Sequence, residues 1–100
     1  MRLYDLALVC RSKNAGPFQV TIDLMFEDEA AYQRVLNAPA FNAANIGALY
    51  HVDPALVAVK TFDRILTVKV VLPRRTASGS LGDTDVYGSQ QHFPLGDLEV

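Results

Sequence analysis

The chain has 100 residues, of which 50% are hydrophobic and 20% charged, and its formal net charge at pH 7 is −2. This length and composition indicate one soluble globular domain over residues 1–100 and exclude a disordered chain. The slightly acidic net charge argues against nonspecific nucleic-acid binding. Asp5 and Arg11 interrupt the N-terminal apolar stretch, so no signal peptide or membrane span is predicted. The single cysteine, Cys10, cannot form an internal disulfide, which predicts a cytoplasmic setting and a buried, unreactive thiol.

Two apolar runs open the chain and predict two adjacent antiparallel strands. The first, Tyr4 to Cys10, is apolar on both faces apart from one aspartate, and a short helix is the competing interpretation. The second, Phe18 to Glu27, alternates apolar and polar residues, which is the period of a half-buried strand. Residues 11 to 17 would connect the two strands, with Asn14 and Gly16 available for positive φ.

The period then changes from that of a strand to that of a helix. Asp28 is predicted to cap a first helix that ends before Pro39, and Asn42 to cap a second that ends before Asp53-Pro54. Gly47 weakens the second helix by about 1 kcal/mol relative to alanine, so this helix depends on tertiary packing.

Two valine-rich runs after the helices predict a β-hairpin. Ala55 to Phe62 and Ile65 to Leu72 are separated only by Asp63-Arg64. Arg74 to Gly88 has no apolar period and is predicted to be an ordered or partly ordered loop. A short element returning to the body is predicted from the last apolar residues, Leu95, Leu98 and Val100.

The order strand, strand, helix, helix, strand, strand predicts an α+β fold. Helices would cover one face of a four-stranded antiparallel sheet, giving a two-layer sandwich with an ordered C-terminal tail. This arrangement is a ferredoxin-like plait whose elements are cyclically shifted. On the last strand, alternate residues from Leu66 to Leu72 would face the core, while Thr67 and Lys69 would face outward.

The first predicted connection is rich in groups that bind anions. Two cations, a hydroxyl and an amide lie beside a glycine and together suit a carboxylate or a phosphate. The alternative is an ordinary solvated turn, and the spacing is not that of a phosphate-binding P-loop. The candidate binding residues are Arg11, Ser12, Lys13, Asn14 and Gly16.

The polar tail supplies a second group of candidates. They can contribute to a binding site or an interface, and the alternative is a hydrated, flexible tail. Their spacing is not that of a calcium loop, so neither a metal nor any other cofactor is predicted. His51, after the second helix, is interpreted as a partner of the helix dipole. The tail candidates for substrate binding are Asp83, Asp85, Gln90, Gln91 and His92.

Both polar segments resemble a known family. Arg11-Ser-Lys-Asn-Ala-Gly-Pro-Phe18, Ser78-Gly-Ser80, Gly82-Asp-Thr-Asp-Val-Tyr-Gly88 and Gln90-Gln91-His92 are similar to motifs of small bacterial proteins of unknown function. That family resembles the ferredoxin-fold domain at the C-terminus of acyclic terpene utilisation protein A (AtuA). The resemblance implies a compact α+β body and a setting in bacterial catabolism beside a large AtuA-like protein.

These observations lead to three hypotheses about function. The first is an accessory or binding subunit of an AtuA-like enzyme, in which Arg11 and Lys13 hold a carboxylate or an acyl-CoA and the tail covers it. The second is a stand-alone lyase or isomerase acting on a small carboxylic acid, with Asp85 or His92 as the base. The third is a structural domain that forms homo-oligomers through the tail or the outward strand face. That face is predicted to carry Thr21, Asp23, Lys60 and Lys69.

Overall fold

A computed structural model of the chain describes residues 1–16, 18–73 and 93–100. Four strands form one antiparallel sheet in the order β1-β2-β4-β3. The helices are α1 (Leu3–Leu6), α2 (Glu29–Asn37), α3 (Ala43–Tyr50) and α4 (Phe93–Gly96), and the strands are β1 (Val9–Asn14), β2 (Gln19–Met25), β3 (Ala58–Phe62) and β4 (Thr67–Pro73). This strand order is that of a cyclically shifted ferredoxin-like plait, so the predicted fold class is confirmed.

The hydrophobic core lies between the helices and one face of the sheet. Apolar residues at alternate positions of the two central strands face the core, as their period of two predicts, and Thr21, Asp23 and Thr67 on the opposite face are buried as well. Side chains from α2 and α3 complete the core from the other layer. The fully buried core residues of these four elements are Val20, Ile22, Leu24, Tyr32, Val35, Ile46, Val68, Val70 and Leu72.

Both predicted helix caps are present. The Asp28 side chain accepts a hydrogen bond from the backbone N–H of Ala31, and the Asn42 side chain accepts one from Asn45, each at 2.8 Å. The second helix ends at His51, whose φ of 56° places it in the left-handed region. The change of period read from the sequence therefore locates the helical layer correctly.

The first strand begins later than predicted. Residues 3 to 6 form a short helix, which was the competing interpretation, and the strand runs from Val9 to Asn14. Pairing with β2 extends the strand to Asn14, because the hairpin connection needs only residues 15 to 18. Gly16 lies in this connection with φ of +95°, as predicted for a turn glycine.

The second hairpin also starts later on each strand than predicted. Pro54–Leu56 forms a 3-10 turn, which delays β3 until Ala58, and Asp63–Ile65 forms another before β4. The pairing of β3 with β4 is as expected. The C-terminal residues return to the body, where the backbone N–H of Leu3 donates to the carbonyl of Leu98 at 2.8 Å.

Candidate functional site

The alternation of β1 divides the predicted anion-binding residues between the two faces of the sheet. Ser12 pairs with Ile22 of the core and is buried on the helix-covered side, where Asn14 follows it. Arg11 and Lys13 point to the opposite side, which no helix in the described ranges covers. The structure therefore brings Arg11 and Lys13 together and separates them from Ser12 and Asn14 by the thickness of the sheet.

The uncovered side of the sheet, here called the open face, carries most of its charge as cations. Arg11 lies opposite Asp23 on β2, and Asp23 lies opposite Lys69 on β4. Lys60 on β3 lies opposite Lys69. The charged residues that this register places on the open face are Arg11, Lys13, Asp23, Lys60 and Lys69. Four cations and one carboxylate give this face a charge of +3 in a chain whose net charge is −2.

A groove of about 290 Å³ runs along the open face. One part of its wall is cationic, and the other is formed by apolar side chains from β2, the end of β3 and the turn after it. Phe62 and Ile65 are 42% and 64% exposed, so the apolar wall is accessible to a ligand. The lining residues are Arg11, Lys13, Asp23, Met25, Phe62, Ile65, Thr67 and Lys69.

The carboxylate of Asp23 lies at the centre of the cationic part of the groove. The residue is only 5% exposed, although its Oδ2 is 3.6 Å from Arg11 Nε and its Oδ1 is 3.9 Å from Lys69 Nζ. Both distances are beyond the usual hydrogen-bond range. Within the described part of the chain, neither Asp23 Oδ1 nor the nearby Thr21 Oγ1 has a hydrogen-bond partner. Two buried polar atoms on this face thus keep unused hydrogen-bonding capacity.

The family of the chain is established by its match, over residues 3–99, to the model described as Domain of unknown function (DUF4387). The chain belongs to this family. Comparisons with curated proteins and with solved structures gave no match. The DUF4387 match agrees with the expectation of an uncharacterised domain family.

Several candidates from the sequence lie beyond the part of the chain that the structure describes. The tail residues Asp83, Asp85, Gln90, Gln91 and His92 lie outside the described residues, as does the predicted loop from Arg74 to Gly88. The DUF4387 chain has no group of three or more histidine, cysteine, aspartate or glutamate residues placed to hold a metal ion in its described ranges. Of the helices described, none has the length and apolarity to cross a membrane.

Cys10 and His51 are both outside the groove. Cys10 is half-buried on the helix-covered side, and burial raises the pKa of its thiol to about 11. This agrees with the predicted unreactive thiol, because the thiolate is the reactive form. His51 is exposed at the end of α3, on the other layer from the open face.

Reasoning from the sequence assigned Asp23 and Lys69 to the outward strand face but not to a binding site. Their meeting with Arg11 depends on the register of three strands, which the sequence pattern alone does not specify. One signal was available. An aspartate in the middle of a predicted strand is unusual, because aspartate is depleted from strands and seldom buried.

Proposed function

We propose that this DUF4387 domain is a binding module that holds a small organic carboxylate in the groove of its open face. The observation that supports this most is the convergence of Arg11, Lys13 and Lys69 on one groove of a chain that is acidic overall. Cations that line a groove concentrate anions there and raise their association rate. Arginine in addition offers a planar pair of donors that matches a carboxylate.

The like-charged pair Lys60 and Lys69 supports the same ligand class. These residues lie directly opposite each other on β3 and β4, an arrangement that is destabilising when no anion is near. A bound carboxylate would reduce this repulsion. The apolar wall formed by Met25, Phe62 and Ile65 would accommodate the carbon chain of the same ligand.

The size and openness of the groove favour an accessory role. About 290 Å³ is at the lower end of the range for ligand pockets, so a short acid or the acyl end of a larger thioester fits best. A shallow groove leaves much of its ligand in water, and a partner that closes over it would complete the site. The two polar segments resemble those of a small-protein family that is itself similar to the C-terminal domain of AtuA, and this makes a large AtuA-like chain the partner we propose.

Titration followed by amide chemical shifts tests the binding proposal. The purified chain is titrated with short mono- and dicarboxylates and with acyl-CoA thioesters, and saturable shifts are expected along β1, β2 and β4. Arg11→Gln and Lys69→Gln should each weaken binding by about tenfold, as expected for a lost charge-assisted hydrogen bond. Arg34→Gln removes the same charge from α2 on the helix layer and should leave binding unchanged. Equal loss in all three variants would contradict a localised site.

Co-expression tests the accessory role. The chain and an AtuA-like protein from the same host should co-elute in size-exclusion chromatography, and the carboxylate should bind more tightly to the complex. Separate elution at micromolar concentrations would refute the partnership and leave the carboxylate site unaffected.

The other two hypotheses receive less support from the described residues. The bases suggested for a stand-alone enzyme, Asp85 and His92, lie outside those residues. An oligomer that pairs two open faces would bring cationic surfaces together, because each copy presents a charge of +3 there. Like-charge juxtaposition opposes such an interface.

A further inference from the structure

We propose that the groove selects carboxylates that also carry a hydroxyl group, which donates a hydrogen bond to Asp23 Oδ1. This inference rests on the proposed carboxylate site and names the ligand class that the site would take. It starts from an observation separate from the cations. Asp23 is 5% exposed and lines the groove, yet its Oδ1 lacks a hydrogen-bond partner among the described residues.

The position of Asp23 explains why its Oδ1 has no hydrogen-bond partner among the described residues. A carboxylate oxygen accepts up to two hydrogen bonds, and Lys69 Nζ at 3.9 Å supplies charge without making one. The neighbouring strands offer no backbone N–H to the side chain, because those groups are used in the sheet ladder. Rotation of the carboxylate about χ2, a soft torsion in aspartate, would turn Oδ1 toward the groove, where a ligand can donate to it.

The cations around Asp23 determine which donor fits. An ammonium group would lie near Arg11, Lys13 and Lys69 and would be repelled by all three. A hydroxyl group is neutral and donates one hydrogen bond, so it satisfies Oδ1 without this repulsion. Hydroxycarboxylates therefore fit better than amino acids of the same length.

The distance between adjacent strands is short enough for one small molecule to place its carboxylate at a cation and its hydroxyl at Asp23. Adjacent strands lie about 4.8 Å apart, and Asp23 is flanked directly by Arg11 on β1 and Lys69 on β4. A carboxylate held by either cation is thus within about 5 Å of Asp23, which a 2-hydroxy or 3-hydroxy acid spans.

Calorimetric titration of the full chain with matched acids tests this inference. Lactate is compared with propionate and 3-hydroxybutyrate with butyrate, and alanine serves as the ammonium analogue of lactate. At least one hydroxy acid should bind about tenfold more tightly than its deoxy partner, as expected for a hydrogen bond to a charged acceptor. Alanine should bind more weakly than lactate.

Two variants of Asp23 assign the preference to its carboxylate. Asp23→Leu removes the acceptor, so the hydroxy and deoxy acids should bind equally, and the deoxy acid should bind at least as tightly as it does to the wild type. Asp23→Asn keeps one acceptor oxygen and should retain part of the preference. A preference that survives unchanged in Asp23→Leu would overturn the assignment.

The wild-type titrations separate the two levels of the proposal. Equal binding of hydroxy and deoxy acids would overturn the hydroxyl preference and leave the carboxylate site standing. Tighter binding of alanine than of lactate would replace the hydroxyl by an ammonium group and also overturn it. Failure of every acid to bind would overturn the carboxylate site itself.

Discussion

Replacing Asp23 by leucine should stabilise the fold while removing a ligand-binding group. Leucine branches at the same carbon as aspartate, so it occupies a similar shape without presenting an unpaired oxygen. Asp23 is nearly fully buried in a central strand, whereas the Arg11 side chain is 60% exposed and that of Lys69 is 35% exposed. Loss of the carboxylate therefore leaves two cations that water still solvates.

The expected magnitude follows from two opposing contributions. A buried acceptor without a hydrogen bond costs about 1–3 kcal/mol, and the substitution removes this cost. The ion pairs with Arg11 and Lys69 are long and partly exposed, so each contributes only about 0–1 kcal/mol. The difference favours Asp23→Leu by about 1 kcal/mol, which corresponds to a rise in Tm of about 4–8 °C for a domain of this size.

Urea unfolding followed by circular dichroism measures this difference, with size-exclusion chromatography to verify that both proteins remain in the same oligomeric state. Asp63→Leu is the matched control, because Asp63 accepts a hydrogen bond from the buried hydroxyl of Tyr32. That variant should lose about 1–3 kcal/mol. A loss of more than about 1 kcal/mol in Asp23→Leu would show that the carboxylate stabilises the fold and would refute the reasoning.

Two further predictions concern the helical layer and the thiol. Gly47→Ala should destabilise the protein despite the better helix propensity of alanine, because the new Cβ would lie 2.8 Å from the carbonyl oxygen of Val52. Urea unfolding measures this loss of stability. The control is Ala48→Gly on the exposed side of α3, which should cost only the propensity difference of about 1 kcal/mol. Cys10 has a thiol pKa of about 11, and only the thiolate reacts, so at pH 8 it should react with iodoacetamide about 100-fold more slowly than the same thiol in the urea-unfolded chain. The reaction of the folded chain should accelerate as the pH rises toward 11. Equal rates in the folded and unfolded chains would contradict this prediction.

The parts of the fold that were predicted well are those governed by local pattern. The alternation of β2 placed Val20, Ile22 and Leu24 in the core correctly, although Thr21 and Asp23 on the opposite face are buried as well. The caps at Asp28 and Asn42 were predicted because their hydrogen bonds are made within three residues. The error at β1 arose because Leu3 and Leu6 read equally well as a strand or as a short helix. Contacts of Leu3 with the distant C-terminal residues decide the matter.

The candidate site was predicted only in part, because its members come together through register. Arg11 and Lys13 were identified as anion-binding residues, and the structure places both at the groove. Ser12 and Asn14 were grouped with them because a loop has no alternation. Once these residues form a strand, neighbours in sequence point to opposite faces. Asp23 and Lys69 join the site from strands that pair only after folding.

The arrangement of charge on the open face distinguishes a binding surface from a merely solvated one. A solvated face accounts for exposed lysines, and Lys60 on the edge strand also discourages pairing with other chains. Solvation does not account for Asp23, because its Oδ1 is shielded from water and has no hydrogen bond among the described residues. A sequence selected only for stability would replace it with an apolar residue at no cost to the fold. The destabilising carboxylate at the centre of a cationic groove is therefore best explained by a ligand that pairs with the carboxylate and with the surrounding cations.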